Sequence, residues 1–185
     1  MDLLQHLRAQ ARANRLANQR LHAAMAALTR DDFHALRTSF FPSLAATLNH
    51  ILAVDTYYID ALEGRGDMVA RYEAFLPADT LAELAPRQAA SDERLIEYCE
   101  TLQASDLETV VAMDRGKDVD RDIVPRVLAH LFMHQTHHRG QVHAMLAGTS
   151  VKPPQLDEFI LASDAKLRDK DLASLGWNEV YLLER

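Results

Sequence analysis

At 185 residues, 48% of them apolar and 25% charged, the chain has the length and composition of a single folded domain spanning residues 1–185, with enough apolar mass for a continuous core. Its formal net charge of −7 argues against nucleic acid as a partner, because phosphate backbones are held by Lys and Arg that release counterions. No apolar run approaches the ~18–20 residues of a membrane span, and the first residues lack the apolar core of a signal peptide, so a cytoplasmic address away from membranes is expected.

The first element is a long helix over residues 3–28, where Leu3, Leu7, Leu16, Leu21, Met25 and Leu28 recur near the helical period. Thr29, Asp31, Asp32 and then Phe41-Pro42 interrupt it, since the residue before a proline is pushed out of the helical region; a connecting segment is expected there. A second helix, carrying His50, follows from Ser43, with Gly64 as its C-terminal cap. Residues 65–85 read as a long connection with one short helix. Pro86 suits a first helical turn and starts the third helix, whose apolar side is Leu95, Ile96, Cys99 and Leu102. Cys99 has no partner for a disulfide or a CxxC pair and is read as a small core residue. The β-branched run around Val110 and Val111, the polar turn at 114–118 and a segment near Val119 give either a small hairpin or an irregular crossing loop. Pro125 opens a fourth helix that runs to Gly148. After Pro153-Pro154 an amphipathic helical tail is expected to pack over an end of the bundle. Four helices with strands too short for a sheet core make the fold class all-α, a four-helix bundle.

Five of the nine histidines, His130, His134, His137, His138 and His143, fall in the fourth helix. Positions i and i+4 lie one above the other on a helix, so His134 and His138 can aim at a common centre, as can His130 with His134. Imidazole ligands to Zn²⁺ or Ni²⁺ need nitrogens about 2.0–2.1 Å from the ion, and successive turns of a rigid helix supply two of them preorganised. A third ligand must come from another helix; His50, set among Leu48, Ile51 and Leu52, needs a partner for its polar nitrogens. Against this stands the ordinary reading that histidines four apart are often solvated or satisfied in a core. His6, His22 and His34 read as polar-face or helix-end residues, and His130 and His143 as structural ones. Spacing alone leaves three pairs open: His130 with His134, His134 with His138, and His134 with His137.

The segment HLFMHQTHHRGQVHAML, His130 to Leu146, resembles the signature of the DinB/YfiT-like metalloenzymes. RANRLANQRLHAAMAALT resembles that family's first helix, LNHILAVDTYYIDAL its second-helix histidine segment, and PPQLDEFIL the region after its last bundle helix, so the likeness covers most of the chain outside residues 65–120. The resemblance implies metal ligands at His50, His134 and His138, a four-helix bundle with the metal near one end and an open coordination face, a nickel or zinc ion, and a homodimer. It also implies kinship with transferases and isomerases that activate a low-molecular-weight thiol.

An ion held by three neutral imidazoles keeps its double charge and can lower the pKa of water or a thiol. A metal-dependent transferase or hydrolase acting on a small molecule is therefore expected, with a metal-binding or ligand-sensing bundle without turnover as the alternative. Asp55, Tyr57, Tyr58 and His137 are candidate helpers, Gln141 a candidate partner for a ligand, Arg139 a surface ion-pair residue, and Gly140 a point of close helix approach. A di-iron bundle is disfavoured, because those sites use Glu-x-x-His motifs and paired glutamates.

Overall fold

The structure, a computed structural model, describes residues 1–183; positions 184 and 185 of the expected tail lie outside the described residues. The chain is mostly helical with one two-stranded sheet. Helix α1 (Leu3–Met25) is started by a reciprocal cap, in which Asp2 accepts from the Gln5 amide while the Gln5 side chain accepts from the Asp2 amide. The same device, Thr29 with Asp32, starts a short helix α2 (Arg30–His34) inside the segment expected only to connect. Helix α3 (Leu44–Leu62) begins at its Ser43 cap, and Gly64 follows at φ +67, as the sequence indicated. The short helix of the long connection is α4 (Met68–Glu73).

Helix α5 (Leu81–Thr101) departs from expectation: it starts five residues before Pro86, because the Thr80 hydroxyl accepts from the Glu83 amide and caps it there. Pro86 is thus inside the helix, where its missing N–H leaves the Ala82 carbonyl without its usual donor. The hairpin alternative is the one adopted. Strands β1 (Val110–Asp114) and β2 (Val119–Ile123) pair antiparallel with Val110 opposite Ile123 and Asp114 opposite Val119. The Arg115 amide donates to the Asp118 carbonyl at 2.8 Å, and Gly116 sits in the turn at φ +85, a region glycine enters without strain. Helix α6 (Val124–Leu146) carries Pro125 in its first turn.

The four long helices pack α1 on α5, α3 on α6, α3 on α5 and α1 on α6. Two apolar clusters fill the space between them. One gathers Leu7, Ile59, Leu95, Leu128 and Leu131; the other gathers Leu21, Met25, Leu48, Leu84 and Val142. Between them each long helix contributes buried polar side chains: Asn14 and Asn18 from α1, Asp55 from α3, Gln88 and Asp92 from α5, Gln135 and Arg139 from α6. Cys99 is fully buried in the first cluster, where burial pushes its thiol up to about 12.

The tail forms α7 (Ala165–Leu175) and α8 (Glu179–Leu183), which lie against the side of α1 and not over an end of the helices. Phe159, Leu172 and Leu182 pack on Ala13, Leu16 and Ala17, the outward face of the middle of α1. Charge fixes this placement. Arg20 pairs with Glu158 and Asp171, and the fully buried Arg168 meets Glu179 while donating to the Glu158 and Leu161 carbonyls. Among the described residues no helix is long and apolar enough to cross a membrane.

Candidate metal centre

The α3/α6 contact brings three imidazoles together. His134 and His138 share a face of α6 one turn apart, and His50 meets them from α3; one ring nitrogen of each lies within 4.8 Å of the other two. His50 Nε2 and His134 Nε2 are 3.0 Å apart, and the three rings have centroids 4.4–5.0 Å from one another. Two nitrogens bound to one ion at about 2.0–2.1 Å would stand roughly 3 Å apart or slightly more, so the spacing suits a shared ion. The His134–His138 pair is the one that faces His50. The histidines stand midway along α6, not near its end, because His134 and His138 occupy the middle turns of Val124–Leu146.

The ligand tautomers have physical causes. His138 Nδ1 lies 2.9 Å from Gln141 Oε1, which accepts only, so Nδ1 carries the proton and Nε2 keeps its lone pair. The Gln141 amide nitrogen then donates to His137 Nε2 at 3.1 Å. Gln141 thus bonds His138 and His137 together, while His137, exposed on the far side of that amide, also packs its ring against that of His138 with centroids 4.8 Å apart. His134 Nδ1 is buried without a hydrogen-bond partner. Burial, then the neighbouring ring of His138, lowers His50 to about 4; burial and then His138, His50 and the other nearby histidines lower His134 to about 3. His138 is lowered too, chiefly by burial, against the Gln141 bond that raises it. All three are neutral near pH 7, the form in which imidazole ligates a metal.

One side of the centre is covered by Phe41, whose ring lies 4.3 Å from that of His50 and 5.6 Å from that of His138. The other side opens into a cavity of about 650 Å³ whose walls include Val54, Tyr57, Tyr58, Tyr72, Arg115 and His130 beside the three histidines. Tyr57 and Tyr58 therefore face the centre's cavity, as two of the candidate helpers were expected to. Tyr57 donates to the Asp114 carbonyl at 2.6 Å, and Tyr58 accepts from Arg115 at 3.0 Å. His130 is exposed on the cavity wall, its ring 6.5 Å from that of His134, outside the group of three.

Other expectations are corrected by burial. Asp55 is no helper at the centre: it is fully buried in the polar layer and accepts from Gln88 at 2.8 Å. Arg139 is not a surface residue but is buried, donating to Asn14 Oδ1 and, at 3.1 Å, to Asn18 Oδ1. Gly140 does not mark close approach, since a Cβ there would meet nothing within 4 Å. His22 stands in the last turn of α1, a helix-end position as expected, but is buried there, whereas His6 and His34 are exposed and His143 bonds the Pro154 carbonyl. Sequence reasoning missed Phe41, read only as part of a break, and Arg115, read only as part of a polar turn. Phe41 gave no signal, and Arg115 shares its turn with Lys117, so nothing in the sequence set it apart.

Residues 4–169 match the model of the DinB family. The chain is also similar to Protein DinB of Bacillus subtilis (strain 168), with 25% identity over 135 residues, 70% of this chain and 78% of that protein. A family match over most of the chain, on helices that bring His50, His134 and His138 to one point, establishes that this chain belongs to the DinB family.

Proposed function

We propose that α1, α3, α5 and α6 form a single-domain four-helix bundle in which His50, His134 and His138 hold one divalent transition-metal ion, and that the protein is a metal-dependent enzyme acting on a small molecule. The observation that carries this reading is the group of three neutral imidazoles beside a cavity, with a glutamine fixing the tautomer of one. The donor set fits the group: imidazole suits zinc, nickel and copper, and no carboxylate belongs to the cluster that would favour magnesium or calcium. Bound there, such an ion supplies Lewis acidity that lowers the pKa of a thiol or a water molecule in its open positions.

The chain's own residues shape what can happen beside it. Phe41 packs against the rings of His50 and His138 on one side, and the cavity admits a small molecule from the other. Gln141 holds His138 with Nε2 free. His130, on the wall and open to solvent, is placed to pass a proton between a bound molecule and bulk water. A purely structural ion is disfavoured because such sites are closed by a fourth protein ligand, and among the described residues the group has three.

Transfer to a small thiol and hydrolysis are separated by cobalt. Cobalt-loaded protein titrated with a millimolar-scale thiol gains sulfur-to-metal charge-transfer absorption if the thiol enters as a thiolate. Cys99, buried in the core, does not interfere. An unchanged spectrum with cobalt bound would count against thiol transfer and leave hydrolysis.

A further inference from the structure

The cavity beside the three histidines has one cationic side chain on its wall, Arg115, and the hairpin holds it in place. Its Nε–H donates to Asp120 on β2 at 3.0 Å and its Nη2 to the Tyr58 hydroxyl at 3.0 Å, while the guanidinium lies 5.1 Å and 5.4 Å from the Tyr57 and Tyr58 ring centres. Those two bonds use two of the five N–H groups of a guanidinium. The remaining edge makes no hydrogen bond among the described residues, and Tyr58, which accepts from Arg115, still has its own proton to donate. The other polar groups of the wall do not fill that edge. Asp114 Oδ1 accepts from the Gly116 amide at 2.7 Å, and Glu73 is exposed, where solvent screens it. Around the cation the wall is apolar: Val54, Val69 and the rings of Tyr57 and Tyr72, the last two edge to face at 6.0 Å.

We propose that Arg115 and the Tyr58 hydroxyl form an anion subsite in the histidine cavity, and that the protein's substrate is a small carboxylic acid with an apolar body. The carboxylate lies on the free edge of the guanidinium, the arrangement that gives paired charge-assisted bonds, and accepts a further bond from Tyr58. The apolar body lies against Tyr57, Tyr72 and the valines, with its far end toward His134. The volume of about 650 Å³ is in the range of small-molecule sites. Naming the substrate this way rests on the reading of the three histidines as the reaction centre; the anion subsite itself does not.

Calorimetric titration of the full chain with phenylacetate and with phenylacetamide, its neutral counterpart, tests the subsite. Each probe is added to chelator-treated protein and to protein reloaded with zinc, with zinc content measured in parallel. Phenylacetate should bind at least about 10-fold tighter than the amide in both forms, and Arg115→Gln should abolish that preference with zinc content unchanged. Asp120→Asn keeps an acceptor for Nε–H while removing the competing charge, so it should tighten phenylacetate binding; this exposed substitution decides the matter if Arg115→Gln fails to fold. Equal binding of acid and amide by chelated protein, a preference that survives Arg115→Gln, or weaker acid binding in Asp120→Asn would overturn the subsite. A parent protein that takes up no zinc but still prefers the acid would overturn the metal reading and leave the subsite standing.

Discussion

Two polar clusters occupy the same stretch of these helices, and they differ in how their polar atoms are satisfied. In the buried layer, Asp92 accepts from Asn14, Asn18 and Gln88, Asp55 accepts from Gln88, and Arg139 donates to both asparagines. These partners are all inside the protein, while Asp55 Oδ1 and both amide atoms of Gln135 are buried without a hydrogen bond among the described residues. In the histidine group, two Nε2 atoms point at each other across 3.0 Å, a third ring joins them, and the remaining space opens to a cavity. A layer whose polar side chains come from all four long helices holds them in register; a group whose lone pairs converge on one point suits something that arrives from outside. Adjacent residues of α6 serve both, Gln135 beside His134 and Arg139 beside His138, so neighbouring faces of one helix divide the two tasks.

Electrostatics separates them as well. Burial, and then the charge of Asp55, pushes Asp92 up to about 7, while Asp55 itself rises to about 6. With a proton kept on Asp92, the anion Asp55 and the cation Arg139 bring the layer to neutrality, which is how a buried charge set avoids a large desolvation cost. The histidines reach neutrality the opposite way, by losing protons.

The largest effect that breaks this contrast is on stability. Arg139→Met leaves the buried carboxylates without their cation and should cost about 3–5 kcal/mol in denaturant unfolding, whereas His134→Ala in metal-free protein should cost far less. Equal losses would mean that the two clusters are equally structural. Next, Gln141→Ala removes the group that orients His138 and should weaken zinc binding about 10–100-fold in a chelator competition, with unfolding little changed. His137→Ala, one bond further out, should weaken it by much less.

The pH profiles should run in opposite directions. Folded Asp92 keeps a proton that the unfolded chain releases near pH 4, so its contribution to stability is lost as pH rises toward 7. Asp92→Asn should therefore gain on the parent as pH rises through that window. Folded His134 stays neutral while the unfolded chain gains a proton below about 6.5, so its contribution is lost as pH falls from there. His134→Ala should gain on the metal-free parent as pH falls. Both are read from unfolding midpoints of metal-free protein across pH 4–7, and slopes of the same sign in the two variants would remove the distinction.

Much of this was legible in the sequence, and the rest was hidden for identifiable reasons. Apolar periodicity located the long helices, and the His134–His138 spacing put two imidazoles on one face; spacing did not choose that pair over His130 with His134, which the family resemblance did. The buried layer went unread although it left a pattern: Asn14 and Asn18, Gln88 and Asp92, and Gln135 and Arg139 are three polar pairs at i, i+4 between apolar stretches. Each pair alone looks like a solvated face, and only the packing of four helices turns all of them inward. The early start of α5 was missed because Pro86 is an equally good sign of a first turn, and the Thr80 cap outweighed it. Arg115 was hidden because a hairpin tip becomes a cavity wall only after β1 has packed against α3 and α4.

The most direct test of the metal centre is elemental analysis of purified protein. The parent should carry about one transition-metal ion per chain, as a site of three histidines with one open face requires. His130→Ala and His137→Ala should retain it, while His138→Ala and the His50→Ala/His134→Ala double variant should lose it. Equal metal in the double variant and the parent, or a site emptied by His130→Ala and kept by His138→Ala, would contradict a centre at His50, His134 and His138.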